Sequence, residues 1–465
     1  MKYIVPQPDI TLYEDGFEKH DLLDRTELST QLSNLVERIE DPMVIALDGP
    51  WGSGKSVFLK CWVGQHLKDE KTKAEPVYFD AFRHDYADTP LLSLTQVIVE
   101  RFLEPETAQP IVSDNAKKLF HKLKRPAMRV GLAAASAGLN VASAGLLPAA
   151  FQLSEVATAA ANEAVSATSD EAQKALDKLW AQQTAQKDAM EQFRNTLEKL
   201  TKPKDEGGEA QKLVIAIDEL DRCRPDYALS VLETIKHFFD VPNVHFVLGV
   251  NLEELANSVR ARYGAGTDAQ KYLAKFVNVG MLLPKRGSNG NLMGPEYFGK
   301  MAEKMEIDKE RTRAALRCID RSSFAETLTL RDIERILTKL ALIPSKLAND
   351  PDYSVTIVTE LAILNVVAPD AFKKAIEGRL EINDIYKAFN VRNTNDDEVD
   401  VSSEDGLITT QWMMIIDHEY NSPLGSNIPG HEQQESQLLL RRLCQKYLMK
   451  IRAFDADSAD PEAST

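Results

Sequence analysis

The chain has 465 residues, enough for two or three domains, and its 43% hydrophobic and 27% charged residues are those of a folded globular protein rather than a disordered chain. With 55 Lys and Arg against 71 Asp and Glu, the net charge of −16 argues against non-specific nucleic-acid binding by the whole surface, though not against a local basic patch. The four cysteines (Cys61, Cys223, Cys318, Cys444) are too far apart for a zinc or redox spacing and suit a reducing cytoplasm. Residues 1–20 carry scattered apolar side chains with Pro6, Pro8 and Gly16. They read as an extended lead-in, and Met1 to Pro6 lacks the apolar core of a signal peptide. A helix follows from about Asp24 to Glu40, with Leu28, Leu32, Leu35 and Val36 as its apolar stripe. It either packs on a sheet or lies beside whatever the loop that follows it binds.

The apolar run Met43 to Leu47 reads as a buried strand, and Val57 to Val63 as a helix. Between them stands Gly49-Pro50-Trp51-Gly52-Ser53-Gly54-Lys55-Ser56, the spacing G-x-x-x-x-G-K-S in the strand–loop–helix context that it needs. Glycines let backbone N–H groups turn inward to cradle phosphate oxygens, and the helix start adds its positive dipole end. Lys55 suits the β- and γ-phosphates and Ser56 suits Mg²⁺. The nucleotide-contacting set is therefore Gly49 to Ser56 with Val57 beside it.

Pro76 to Arg83 reads as a second strand and Leu91 to Phe102 as a helix. Residues 105–210 interrupt the α/β pattern. A basic run (Lys117, Lys118, Lys122, Lys124, Arg125, Arg129) precedes Val130 to Ser154, which carries no charge and repeats imperfectly from Gly131, Gly138 and Gly145. The stretch is long enough to cross a bilayer. It is rich in alanine rather than leucine and contains Asn140 and Pro148, so a soluble helical hairpin or flexible segment is expected; membrane contact through residues 117–153 is the alternative. Ser169 to Leu200 reads as a long polar helix, and Lys202 to Gly208 as a linker.

Leu213 to Ile217 is a strand apolar on both faces, ending in Asp218-Glu219. Asp218 there suits Mg²⁺, directly or through water, with Ser56 as the other metal-side residue. Glu219 suits the attacking water, and Asp221 competes for that role. Asp221 is expected to pair with Arg222 or Arg224. Val244 to Val250 is a further buried strand; Asn251 at its end contacts a γ-phosphate or the lytic water, caps the next helix, or does both. A last strand ends near Leu283-Pro284, and helices follow. Thr329 caps the helix that carries Arg331 and Arg335 one turn apart, where either reaches a γ-phosphate or forms a surface salt bridge. Residues 353–390 read as helices, Asn393 to Asp405 as a polar loop, Glu435 to Phe454 as an amphipathic helix and Asp455 to Thr465 as a disordered tail.

These motifs together resemble the KAP family of P-loop NTPases over roughly residues 20–345. The glycine loop with its Pro50-Trp51 pair, Phe79-Asp80-Ala81-Phe82, Asp218-Glu219-Leu220-Asp221-Arg222-Cys223, Tyr272 to Pro284 and Leu330 to Arg335 carry the resemblance. Glu219 stands where the family usually has a second Asp, and Phe82 where Trp is commoner. The resemblance implies an ASCE-type α/β P-loop NTPase with a parallel sheet core, a helical insertion between the two nucleotide motifs and a C-terminal helical lid. The expected division is residues 1–104 and 211–285 for the core, 105–210 for the insertion, 286–452 for the lid and 453–465 for the tail. The expected activity is Mg²⁺-dependent ATP hydrolysis serving assembly, a protein partner or a homo-oligomer. Antiviral defence is a setting that some bacterial members suggest. A nucleotide-gated switch and a membrane-surface scaffold are the competing readings.

Overall fold

The computed structural model describes residues 3–87, 90–103, most of 188–201, 211–238, 240–287, 290–320, 326–343, 355–391 and 403–416. The expectations for the basic run, the charge-free stretch, most of the polar helix, the loop after Asn393, the helix at 435–454 and the tail lie outside the described residues. Among the described residues, no helix is long and apolar enough to cross a membrane.

Five strands form one parallel sheet: β1 (Met43–Asp48), β2 (Glu75–Asp80), β3 (Leu213–Asp218), β4 (Val244–Val250) and β5 (Val279–Leu282), in the order β2-β3-β4-β1-β5. The three inner strands are continuous apolar runs because both faces are covered. Their side chains alternate between two cores. Val44, Ala46, Leu213, Ile215 and Ile217 face one, and Ile45, Leu47, Val214 and Ala216 the other. On the first face pack α3 (Pro90–Leu103), α4 (Pro225–Lys236), α5 (Leu252–Tyr263) and Phe193 and Leu197. On the second pack α1 (Thr26–Arg38) and α2 (Lys55–Lys68). Pro76 is tolerated because β2 is an edge strand. The sheet order sets β4 between the glycine-loop strand and the acidic strand, as the ASCE-type expectation requires. All three strands end at the same edge, so the segments after Asp48, Asp218 and Val250 converge there.

Beyond β5 a separate helical core is built from α6 (Met293–Lys304), α7 (Lys309–Ile319), α8 (Leu330–Leu342), α9 (Val355–Val367), α10 (Pro369–Glu377), α11 (Ile382–Phe389) and α12 (Glu404–Ile416). Helix α9 is largely apolar and is enclosed by its neighbours, burying Thr359, Glu360 and Asn365 as well. Thr329 caps α8 as expected, in a full capping box with Asp332.

The N-terminal lead-in is anchored at both ends. Phe17 sits in the second core of the sheet, in edge contact with Phe58, while Val5, Leu22 and Leu23 join the C-terminal helical core. The segment therefore straps the two cores together. Single apolar residues spaced irregularly bury well in a strap, which is why no periodicity announced them.

The strap's closest approach is at Gly64 of α2, where an added Cβ would lie 2.2 Å from the Asp15 carbonyl oxygen. A helix interior normally gains up to about 1 kcal/mol from Gly→Ala. Here the neighbour is backbone and cannot rotate away, so Gly64→Ala should instead destabilise by about 1–3 kcal/mol. Chemical denaturation measures the sign, and a stabilised variant would show that the strap does not dock this way.

Candidate functional site

The loop between β1 and α2 turns on two glycines in the left-handed region, Gly52 at φ 78° and Gly54 at φ 87°. Helix α2 begins without a side-chain cap and with no acidic residue in its first turn. Its leading N–H groups thus have no side-chain acceptor, which suits an anion. Lys55 is buried, and its Nζ donates to the carbonyls of Gly49 at 2.5 Å and Pro50 at 3.2 Å. Burial lowers its pKa, opposed by the charges of Asp221, Asp218 and Asp48. The hydroxyl of Ser53 is buried in the loop without a hydrogen-bond partner.

Asp218 ends β3 and is 1% exposed. The Tyr78 hydroxyl donates to its Oδ2 at 2.7 Å and the Glu219 amide to its Oδ1 at 2.9 Å. Burial pushes its pKa up to about 6 against the hydrogen bonds of Tyr78 and Ser56. Gly249 in β4 makes room for this carboxylate, since a Cβ there would lie 2.8 Å from Oδ1. The Ser56 hydroxyl also donates to Glu219 Oε1 at 3.3 Å. Ser56, Asp218 and Glu219 thus bring oxygen donors together, the chemistry that a hard cation prefers. Among the described residues no group of three or more His, Cys, Asp or Glu side chains could hold a metal ion alone.

Glu219 adopts a left-handed conformation at φ 57°, and its Oε1 accepts from Arg222 Nη1 at 2.7 Å. A non-glycine residue there is strained by roughly 1–2 kcal/mol. Asp221 does not pair with Arg222 or Arg224, contrary to expectation. Arg222 is taken by Glu219, and Arg224 by Asp85 at 2.9 Å. Asp221 instead accepts from Trp51 Nε1 at 2.7 Å and from the Asn251 amide at 3.0 Å, both through Oδ2. The single 3-10 turn Leu220–Arg222 swings the acid toward the glycine loop and away from the guanidinium groups that follow it. Asn251 is the cap of α5, its Oδ1 accepting from the amides of Glu253 and Glu254.

One cavity of about 680 Å³ joins the loop residues Trp51 to Val57 with Asp218, Glu219, Asp221 and Arg331. Gly49, Pro50 and Asn251 are not on its wall, nor is Arg335, which is exposed on α8. Arg331 is placed by the docking of α8 on the loop. The Leu330 amide donates to the Gly52 carbonyl at 3.1 Å, and a Cβ on Gly52 would lie 2.7 Å from Arg331 Cβ. The opposite wall comes from the N-terminal strap and α6, including Leu22, Leu23, Arg25 and Met301. Sequence reasoning missed Tyr78, Gly249 and Arg25. Only Tyr78 carried a signal, a polar hydroxyl inside an otherwise buried strand.

This geometry agrees with what comparison with known proteins finds. The model described as the KAP family P-loop domain matches residues 25–347. The chain belongs to the KAP family. It is thereby a member of a nucleotide-binding P-loop family, and the parallel sheet is the P-loop NTPase fold. No curated protein matches the chain. Among solved structures, the Aeropyrum pernix ORC2 protein in ADPNP–ADP complexes is similar at 13% identity and a TM-score of 0.34, over 91% of this chain and 86% of that one. Its ADP form is similar at 12% identity and the same TM-score and coverage. A superposition that loose carries no further argument.

The Trp51–Asp221 contact gives the family's Pro-Trp pair a physical reason. It ties the glycine loop to the end of β3 across 170 positions of sequence. Trp51→Phe removes a donor from a buried carboxylate, at a cost of about 1–3 kcal/mol. The variants Trp51→Phe, Asp221→Asn and their combination should show a coupling energy of about 0.5–3 kcal/mol in denaturant unfolding. Strict additivity would remove the contact from the account.

Proposed function

We propose that this KAP-family chain is a Mg²⁺-dependent ATPase that hydrolyses the β–γ phosphoanhydride. The observation that supports the reading best is the meeting, in one cavity, of the glycine loop with its lysine and of Ser56, Asp218 and Glu219. In this reading the loop amides and Lys55 hold the phosphates, and Lys55 exchanges its carbonyl partners for phosphate oxygens. Ser56 and Asp218 hold Mg²⁺, which supplies charge neutralisation on the phosphates when it is bound with them. Glu219 orients the attacking water and accepts its proton. Arg331 stabilises developing charge from the C-terminal helices, which then serve as the lid. Asp221 is a positioning residue for the loop. The cycle serves assembly, a protein partner or a homo-oligomer, with bacterial antiviral defence as the setting that the family resemblance suggests. Residues 105–210 stand as a helical insertion, with residues 117–153 as the part that would meet a membrane surface in the scaffold reading.

A second reading, a nucleotide-gated switch with little turnover, is favoured by the Arg222–Glu219 ion pair. The guanidinium occupies Oε1, an oxygen that the attacking water would otherwise meet.

Lys55→Ala should abolish nucleotide binding and leave the fold intact. Glu219→Gln should keep binding and reduce turnover by about 10²–10⁴-fold. Phosphate release and nucleotide binding measured on both variants test this, and a Glu219→Gln variant with wild-type turnover would overturn the assignment of the water.

Arg222→Ala separates the two readings. A rise in turnover means that the ion pair restrains the carboxylate, as a switch requires. A fall means that Arg222 places Glu219 for catalysis.

A further inference from the structure

Arg25 stands at the start of α1 and is 6% exposed, yet its guanidinium has no hydrogen-bond acceptor among the described residues and its Nε is buried without a partner. Asp21, the carboxylate whose charge it feels, spends both oxygens on the amides of Arg25 and Thr26 and on the Thr26 hydroxyl. Burial pulls the Arg25 pKa down to about 10. A desolvated guanidinium without a partner is costly, and such groups are retained in proteins where they meet an anion.

Its position says which anion. Arg25 lines the same cavity as the glycine loop, and its Nη1 lies 3.0 Å from the point that a Cβ on Gly54 would occupy. Gly54 is the residue from which α2 springs, so the guanidinium adds its charge beside the positive end of that helix and beside Lys55. Lys55 feels the acids Asp221, Asp218 and Asp48, whereas the carboxylate that Arg25 feels is Asp21 alone. Next to Arg25 the wall becomes apolar, with Leu22, Leu23 and Met301.

We propose that Arg25 is a phosphate-binding residue of this site, its guanidinium donating to an oxygen of the phosphate chain of a nucleoside di- or triphosphate, on the strap side of the glycine loop. The proposal rests on the reading that the cavity takes a nucleotide. It adds the N-terminal strap to the binding apparatus, so that a bound phosphate chain fixes the segment that joins the two cores. A fork of N–H donors suits phosphate oxygens better than a single ammonium does.

The test uses the full chain with Arg25→Met and Arg25→Lys, with Lys55→Ala as the reference. Binding of ATP and of inorganic tripolyphosphate is measured by displacement of a fluorescent nucleotide, and melting is followed with and without ATP. Removing an unpaired buried cation should leave the ligand-free melting temperature of Arg25→Met equal to or above the wild type. Both ATP and tripolyphosphate should bind roughly ten- to a hundredfold more weakly, and Arg25→Lys should recover part of the loss. A lower ligand-free melting temperature with unchanged affinity would make Arg25 a structural residue and overturn the proposal. A loss seen for ATP but not for tripolyphosphate would overturn the phosphate contact. If the wild type binds ATP, Lys55→Ala does not and Arg25→Met binds normally, the proposal fails while the nucleotide reading stands. A wild type that binds no nucleotide overturns both.

Discussion

The structure depends on the backbone of the glycine loop being bare where other segments touch it. At Gly52 any side chain would strike Arg331 and Thr329 of α8, and at Gly54 it would meet Arg25 and Leu330. Both residues also hold positive φ, which side chains resist. The spacing of glycines is usually explained by phosphate alone. In this chain it answers equally to α8 and to the N-terminal strap. Trp51, between Gly49 and Gly52, makes the third attachment through Asp221. Loop geometry, the acidic strand end, the strap and the C-terminal helices are therefore settled together.

The charges at the site are arranged by burial more than by pairing. Asp218 is almost fully enclosed, and desolvation outweighs its three favourable hydrogen bonds, so its pKa rises. A divalent cation beside it would reverse that balance, because an adjacent positive charge favours the carboxylate. Lys55 shows the mirror image, with burial lowering its pKa while three acids work the other way. Glu219 differs from both, since its charge is met by Arg222. Its left-handed backbone suits Asp or Asn better than Glu. The glutamate holds its carboxylate there at the cost of strain, and one oxygen meets both Ser56 and Arg222.

What the sequence made legible was what depends on local pattern. Strands β1, β3 and β4 were readable because burial on both faces demands uninterrupted apolar runs. The glycine loop was readable because its spacing is a backbone requirement. Asp218 followed from its place at the end of β3. The pairings of the acids were not legible. Asp221 lies one residue from Arg222 and three from Arg224, and local reasoning favours those partners; its actual donors come from the ends of two other strands. Tyr78 and Gly249 matter only because β2 and β4 flank β3, a fact of sheet order. Arg25 looked like an ordinary charged residue at a helix start, since nothing local shows that a guanidinium will be buried.

The strap explains how the two cores share one site. Phe17 and the Asp15 backbone are held against α2, while Val5, Leu22 and Leu23 are held in the C-terminal core. Lys300 of α6 donates to the Leu22 carbonyl at 3.2 Å, fixing the strap where it crosses the cavity. Helix α8 makes the second crossing through one backbone hydrogen bond to Gly52, which contributes only about 1 kcal/mol net. Burial of Val5 contributes more, about 1.5–3 kcal/mol for a well-buried apolar side chain, and the half-buried Leu22 and Leu23 add to it. The strap is thus the stronger tie between the cores, and the α8 contact is the one that loop geometry can make or break. A site built in this way lets the state of the glycine loop bear on α8 while the two cores stay joined.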